Sequence, residues 1–553
     1  MTDAYGKTKI LILDDERLIR LTLSAKLMGI GYTAVTASSV DEAVSILRED
    51  HKQFRAIISD IMMGDMDGFV FRDIVRGLDK SMPIFFMTAL DPEEGGGFLK
   101  KILEDSCSYY LPKSIRPEVL LKRVQNIVAS RKIEQFIERQ LDEQRKSLEL
   151  AANVQNSMLP NRVLMTPRGF YTTLWRPKDS VSGDLYEAVQ YGKGVYLYVL
   201  GGIQGHGTSA ALTMTAVQAF LKQFTLHEGE QTLGPADIAN LLHKFFRKHL
   251  ADVSYMTALI CIHRPLLNEV VWLSCGVPDL IVVDPMNPDM PPINPQKRGG
   301  LPIGLLPDTV YSADDVVRTP LTKTAVCMAC SDGIDDLARD ADSEDVIPAE
   351  LVQSTFAELA TEARLNGSIV AVPQKFIAAC EEYGYTTYSD DVTMLVFGTR
   401  YFPPGIFEYT VSMKAADIDR AAVSLGNWCL EQGWSDDLIN RLQLVVEEML
   451  MNIHDHGVDN HERLTAVASM RVRSVGKNVE LTIWDTGTPT PTKELVAGDS
   501  SAEFELLNRE MSGRGRGRLI IRALCNGIAR NRYQNLNETI FFIPFEYQPG
   551  EAL

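Results

Sequence analysis

From Lys9 to about Ala129, short apolar runs alternate with polar turns and amphipathic stretches, and that alternation restricts the region to very few folds. Ile10–Leu13, Ala56–Ile58 and Pro83–Met87 are too short for helices. They are also too uniformly apolar for strands with one wet face. Each reads as a buried strand followed by a helical pattern, which predicts a parallel, doubly wound sheet covered on both faces.

Polar residues sit where those strands end. Asp14 and Asp15 close the first run, and Asp60 closes a later one. In a doubly wound sheet the carboxyl ends of strands converge on one crevice, so three carboxylates would meet there. They would repel one another unless a hard cation such as Mg²⁺ joined them. Thr88 ends the next strand and Lys113 follows Tyr109-Tyr-Leu-Pro112. A hydroxyl and an ammonium facing such a centre suit a phosphoryl group carried on the carboxylate. Asp60-Ile-Met-Met-Gly-Asp-Met-Asp-Gly68, Thr88-Ala89 and Tyr110 with Lys113 resemble the receiver domain of bacterial response regulators. The resemblance implies phosphorylation at Asp60, Mg²⁺ held by Asp14, Asp15, Asp60 and Met62, and a switch made of Thr88, Tyr110 and Lys113. Gly64 and Ser114 stand where that family usually has proline.

Beyond the receiver-like stretch comes a joint. Ile137, Leu141, Gln144, Leu148, Ala151, Gln155 and Met158 recur at heptad spacing on an otherwise charged segment that stops at Pro160. This predicts a helix, either seamed to a second copy as a coiled coil or packed as a single amphipathic helix on a domain. A second joint is Tyr401-Phe-Pro-Pro-Gly405. The domains expected are therefore 1–129, a helical linker 130–160, a β-rich domain 161–400, a linker 401–409 and a last domain 410–553.

The middle domain holds carboxylates at strand ends: Asp184 before one strand, Asp332 after another and Asp390 before a third. Such a set suits Mg²⁺ or Mn²⁺ activating water against a phosphate ester. Together with Gly205-His-Gly-Thr-Ser209 and Gly300-Leu-Pro-Ile-Gly304, the pattern resembles the metal-dependent serine/threonine phosphatases of the PPM class, in the branch of sporulation and stress-response phosphatases. That implies a β-sandwich flanked by helices, with metal held by Asp184, the Ile203 carbonyl, Asp332 and Asp390. The family's bridging aspartate falls at Gly202, so one ligand is missing.

The last domain lacks a P-loop near its candidate site. Glu448 and Asn452 lie at i and i+4 on a predicted helix, with His456 at i+8. Asp485-Thr-Gly487 follows a strand, and Gly513-Arg-Gly-Arg-Gly517 opens a helix whose N–H groups suit phosphates. These resemble the N-box, adenine box and lid of the ATPase fold shared by histidine kinases, gyrase and anti-sigma-factor serine kinases, an α/β sandwich. The resemblance implies ATP with Mg²⁺ and adds Thr539 to the nucleotide site. No histidine-bearing helix pair precedes this domain, which favours the serine-kinase branch.

Composition excludes other classes. With 55 basic against 73 acidic residues the formal charge is −18, a field that repels nucleic acid and anionic lipid. No apolar run is long enough to span a membrane, the N-terminus has no signal-peptide pattern, and eight scattered cysteines suit a reducing compartment, so a cytoplasmic protein is expected. Cys327-Met-Ala-Cys330 lies inside an apolar run and reads as core strand. The combined resemblance implies a partner-switching regulator. Its partners would be an upstream histidine kinase or phosphotransfer protein, an anti-sigma-factor antagonist carrying a serine, a sigma or anti-sigma factor, and a second copy through the linker helix. The rival is a phosphorylation-gated scaffold that has lost its phosphatase.

Overall fold

A computed structural model describes residues 8–63, 66–88, 100–102, 104–114, 116–166, 168–205, 207–224, 233–250, 255–276, 280–287, 300–340, 345–366, 369–401, 404–457, 467–487, 516–533 and 536–546. The chain divides into two compact units, 1–146 and 147–553.

In the first unit, β1 (Lys9–Leu13), β2 (Thr33–Ala37), β3 (Phe54–Asp60), β4 (Ile84–Thr88) and β5 (Ser108–Pro112) form one sheet in the order β2-β1-β3-β4-β5, every pair parallel. This is the expected doubly wound sheet. Two apolar layers explain the continuous hydrophobic runs. Leu11, Leu13, Ile57 and Phe86 pack on one face, while Ile10, Ile12, Ile58 and Phe85 pack on the other. Helices α1 (Arg17–Gly29), α2 (Val40–Asp50) and α3 (Gly68–Leu78) complete the wrap.

Helix α4 runs from Pro117 to Met158 in 42 residues, so the linker helix begins well before 130. Its first turns bury Leu120, Val124 and Val128 against the receiver sheet. Ile137 and Leu141 are exposed. Further along the same heptad series Gln155 is buried within the second unit. The heptad pattern thus contains two different packing requirements in succession.

The second unit begins with two antiparallel five-stranded sheets. One comprises β8 (Asp184–Gly192), β9 (Val195–Ile203), β10 (Met256–Arg264), β11 (Glu269–Cys275) and β13 (Val317–Pro320), in that order. The other has the order β12-β14-β15-β7-β6, from β12 (Ile281–Val283), β14 (Val326–Cys330), β15 (Val392–Thr399), β7 (Gly169–Arg176) and β6 (Val163–Met165). Tyr198, Leu259 and Trp272 meet Cys327, Leu395 and Phe397 between the sheets. Helices α5 (Thr208–Leu221) and α6 (Pro235–His249) cover one outer face, and α7 (Ala349–Asn366) and α8 (Val372–Glu382) cover the other. This is the sandwich flanked by helices. Cys327 and Cys330 are buried in different apolar clusters on strand β14, as core residues.

The rest of the unit is a five-stranded sheet, β16-β17-β18-β20-β19, built from β16 (Ile406–Ser412), β17 (Val467–Val475), β18 (Asn478–Asp485), β20 (Leu536–Pro544) and β19 (Gly527–Tyr533). Helices α9 (Ala415–Glu431), α10 (Asp436–Asn452) and α11 (Arg516–Leu524) pack on one of its faces through Leu425, Leu442, Val446 and Ile521. The Ser435 hydroxyl starts α10 by accepting from the Leu438 N–H. No helix among the described residues is long and apolar enough to cross a membrane.

Candidate functional sites

At the carboxyl edge of the receiver sheet, Asp14, Asp15 and Asp60 each place an oxygen within 4.8 Å of the others, the only such acidic group among the described residues. The cluster follows from topology, because β1 and β3 are neighbours and both end there. Lys113 Nζ lies 2.6 Å from Asp60 Oδ2 and 3.6 Å from Asp14 Oδ2. Burial pushes the Asp14 carboxyl above its ordinary range; the Glu16 N–H and Lys113 pull it back, and Asp60 and Asp15 add to the rise. Asp14 Oδ2 accepts no hydrogen bond although it is buried. An orphaned carboxylate oxygen beside two more carboxylates fits a divalent cation. Met62 sits at the rim, its N–H reaching Asp60 Oδ1 at 3.4 Å. Thr88 is buried at the end of β4, where its carbonyl accepts from the Lys113 N–H at 2.7 Å, and Tyr110 is half-buried on β5.

In the sandwich domain, Asp184 begins β8 and stands in register opposite Gly202 on β9. A Cβ added at Gly202 would lie 2.8 Å from Asp184 Oδ1, so position 202 directly faces that carboxylate. Asp184 is buried, and its Oδ2 accepts a 2.7 Å hydrogen bond from Thr393. Burial drives its carboxyl well upward, Thr393 and Ser331 lower it, and Asp391 and Asp332 raise it further. Asp332 is raised by desolvation and then by Asp390. Ile203 ends β9 with its N–H on the Gly183 carbonyl at 3.1 Å. Asp184, Asp332 and Asp390 do not form a group of the receiver's kind. Thr393 takes up one oxygen of Asp184 and leaves Oδ1 facing position 202, where glycine supplies no side-chain ligand, so the donor set lacks one bridging carboxylate.

Two residues outside the expected set organise that region. Asp391 is buried and accepts from the Lys178 N–H at 2.7 Å and the Gly183 N–H at 2.8 Å. It therefore ties the loop ahead of Asp184 to the start of β15. Gln155 of α4 donates to the Ser182 carbonyl at 2.7 Å and accepts from the Ser182 N–H at 3.0 Å. A polar residue inside an apolar seam was the available signal.

In the third domain, Asp485 ends β18, and its Oδ1 accepts from the Gly487 N–H and from Asn537 Nδ2, each at 2.8 Å. Burial raises its carboxyl, and Asn537 and the Gly487 N–H lower it. A Cβ on Gly487 would lie 2.3 Å from the Gly457 carbonyl, so only glycine lets the Asp485 turn meet the end of the helical segment. Asn452 closes α10, and the chain continues as a π-helical turn, Ile453–Gly457. His456 lies on that turn, so the α-helical i+8 alignment with Glu448 does not hold. Thr539 is buried on β20, two residues beyond Asn537 and on the same sheet face. Gly513 and Gly515 lie outside the described residues; Gly517 falls in the first turn of α11.

Family models match three consecutive stretches: a response regulator receiver domain at 10–125, Stage II sporulation protein E (SpoIIE) at 192–400 and a histidine kinase-like ATPase domain at 411–542. The chain thus carries a receiver domain, a PP2C-type phosphatase domain of the SpoIIE family and a histidine kinase-like ATPase domain. The phosphatase family implies Mg²⁺ or Mn²⁺ dependence, and the ATPase family implies ATP.

Among curated proteins, the two-component response regulator ORR21 of Oryza sativa subsp. indica is 33% identical over 120 residues, 22% of this chain and 17% of that protein. The probable transcriptional regulator ycf27 of Guillardia theta is 34% identical over 128 residues, 23% of this chain and 47% of that protein. The chain therefore spans less than half the length of either relative. A solved structure of the RsbU and RsbW domains of Rv1364c from Mycobacterium tuberculosis aligns with 70% of this chain and 96% of that one, at 16% identity and a TM-score of 0.38. The SiaA-PP2C domain of Pseudomonas aeruginosa aligns with 47% of this chain and 98% of its own, at 20% identity and a TM-score of 0.38.

Proposed function

We propose that the chain is a partner-switching response regulator, in which phosphorylation of Asp60 controls serine phosphatase and serine kinase modules acting on an anti-sigma-factor antagonist. The observation that carries this reading is the succession of the three domains on one chain, with the receiver's three carboxylates gathered around Lys113.

Phosphotransfer to Asp60 forms a P–O bond to its carboxylate as the donor, a phosphohistidine of a kinase or phosphotransfer protein, loses its P–N bond. Lys113 is the cation proposed to neutralise the new phosphoryl charge, and Thr88 the hydroxyl proposed to turn towards it. A divalent cation held by Asp14, Asp15, Asp60 and the Met62 carbonyl would supply the remaining positive charge. Helix α4 is the proposed connection to the phosphatase domain, because it starts on the receiver core and its Gln155 holds the loop ahead of Asp184. Its exposed Phe136, Ile137 and Leu141 are the proposed contact with a second copy. In the ATPase domain, Asp485 is assigned the adenine amino group, Asn452 the Mg²⁺ of ATP, and Glu448 the attacking serine hydroxyl. His456, Gly487, Thr539 and the glycines at 513, 515 and 517 complete the proposed nucleotide site. The domain boundaries proposed at 129, 160, 400 and 409 assign one activity to each part.

A specific observation favours a second reading for the sandwich domain. Gly202 faces Asp184 with no side-chain ligand atom, and Thr393 bonds one oxygen of that carboxylate. On that reading the domain docks the phosphorylated partner without hydrolysing it. Incubating the protein with ATP and a candidate antagonist, with and without Asp60 phosphorylation and Mn²⁺, tests both readings. Phosphoserine that rises and then falls supports the opposed enzymes; phosphoserine that only rises supports kinase plus docking. No change in either arm removes the proposal.

A further inference from the structure

Part of the outer face of the ATPase sheet is covered by the phosphatase domain. Trp484 and Leu536 are buried in the same apolar cluster as Phe356 of α7 and Phe376 of α8. Arg471 of β17 reaches the Asn366 carbonyl at the end of α7, and Arg473 lies 3.3 Å from Asn366 Oδ1. Lys375 of α8 faces Glu538 Oε1 at 4.0 Å and lies 5.3 Å from the centre of the Tyr533 ring.

The register of β18 on β20 gives this contact its consequence. Asp485 pairs with Asn537, and the adjacent Trp484 pairs with Glu538. Successive residues of a strand point to opposite faces. The Asp485–Asn537 hydrogen bond therefore lies on the proposed nucleotide face, at 2.8 Å. The Trp484 Nε1–Glu538 hydrogen bond, at 2.9 Å, lies on the face that meets the phosphatase domain. The same two adjacent backbone pairs carry the adenine acid and the interdomain anchor.

Helix α8 continues the connection. Gln374 donates to the Thr173 carbonyl on β7 at 3.2 Å. In its last turn, Glu381 accepts from the Tyr388 hydroxyl at 2.5 Å, and Arg176 lies 3.7 Å from the Tyr388 ring centre. Tyr388 is two residues before Asp390. Packed elements have few alternative arrangements, so a ligand that favours one arrangement of β18 and β20 also biases what is packed on them.

We propose that nucleotide occupancy of the ATPase domain is coupled to the phosphatase domain through the Trp484–Glu538 pair and helix α8. Coupling of this kind is reciprocal, so a change in α8 also alters nucleotide affinity. The inference rests on the proposed nucleotide site and adds a partner for it within the chain.

The test is hydrogen exchange on the full chain with and without a saturating, non-hydrolysable ATP analogue and Mg²⁺, read at residues 372–382, with binding measured separately by calorimetry. The expected result is a change of at least about threefold in exchange across α8, lost or strongly reduced in Trp484→Phe and Lys375→Met while the analogue still binds. Lys375→Met keeps an unbranched apolar stem and alone decides the matter if the tryptophan variant does not fold. Binding with no change in α8 overturns the inference and leaves the nucleotide site standing. A change that persists in both variants overturns this route. Absence of binding removes the nucleotide site and the inference with it.

Discussion

Gln155 and Ser182 exchange two hydrogen bonds, the side-chain amide donating to the Ser182 carbonyl at 2.7 Å and the Ser182 N–H donating back to Oε1 at 3.0 Å. Both residues are buried, so one side chain of α4 satisfies both backbone groups of a residue two positions before Asp184. Gln155→Leu keeps the approximate volume and leaves an N–H and a carbonyl unpaired in the interior. The cost is about 2–6 kcal/mol, from roughly 1–3 kcal/mol for each of the two orphaned groups. Thermal unfolding of the full chain measures it, and an unchanged profile contradicts the role given to Gln155.

Asp60→Asn preserves shape and removes the acceptor carboxylate. Labelled phosphate from a small phosphodonor is expected not to reach the receiver. It also removes one of the three negative charges beside Asp14 and Asp15, so the site's affinity for Mg²⁺ falls. Labelling at the parent level, mapped to the receiver, sinks the assignment.

Gly202→Asp sets a second carboxylate against Asp184. Its Cβ begins 2.8 Å from Asp184 Oδ1, so Asp184 must shift to admit a second carboxyl group beside its own. Without metal the variant is expected to melt below the parent. With Mn²⁺ it should gain more stability than the parent, because the cation joins the two carboxylates. Phosphoserine hydrolysis is expected to rise at least about tenfold, or ~1.4 kcal/mol of barrier. Equal Mn²⁺ responses in the two proteins rule out position 202 as the missing ligand.

Asn452→Ala removes the proposed Mg²⁺ ligand at the end of α10. Partner phosphorylation should fall to background while circular dichroism is unchanged. Phosphorylation at the parent rate argues against the site.

Glu408 on β16 is buried, neither carboxylate oxygen has a hydrogen-bond partner, and burial pushes its carboxyl up to about 7 despite Arg471, Arg364 and Arg400. A folded-state value raised above the ordinary 4.5 means that the folded chain binds the proton more tightly than the unfolded chain. This stability contribution is complete below about pH 4.5 and is lost as pH rises through about 7. Across that window the loss is about 3 kcal/mol. Glu408→Gln cannot ionise and is expected to escape it, so calorimetric scans at pH 5 and pH 8 should separate parent from variant. Parallel pH dependence in the two refutes this account.

The strand-end positions of polar residues were legible in the chain because a residue at the tip of a buried strand needs no distant partner to be located. Asp14, Asp60, Thr88, Asp184 and Asp485 all stand at the ends of strands that their apolar neighbours announce. The doubly wound sheet follows from the same short-range alternation, whereas the two-sheet sandwich and the final α/β layer were expected from the family resemblances of their motifs. What tertiary structure alone decided was the partners. The heptad spacing placed Gln155 in a seam, but spacing states only that a face is covered, not by what. The Thr393 hydroxyl on Asp184 and the Asp391 carboxylate on Gly183 join residues more than 200 positions apart. The burial of Trp484 in the phosphatase domain's apolar cluster likewise crosses a joint that reads as a linker. A sequence records which side chains must leave water; which surface receives them is set by the packing of the whole chain.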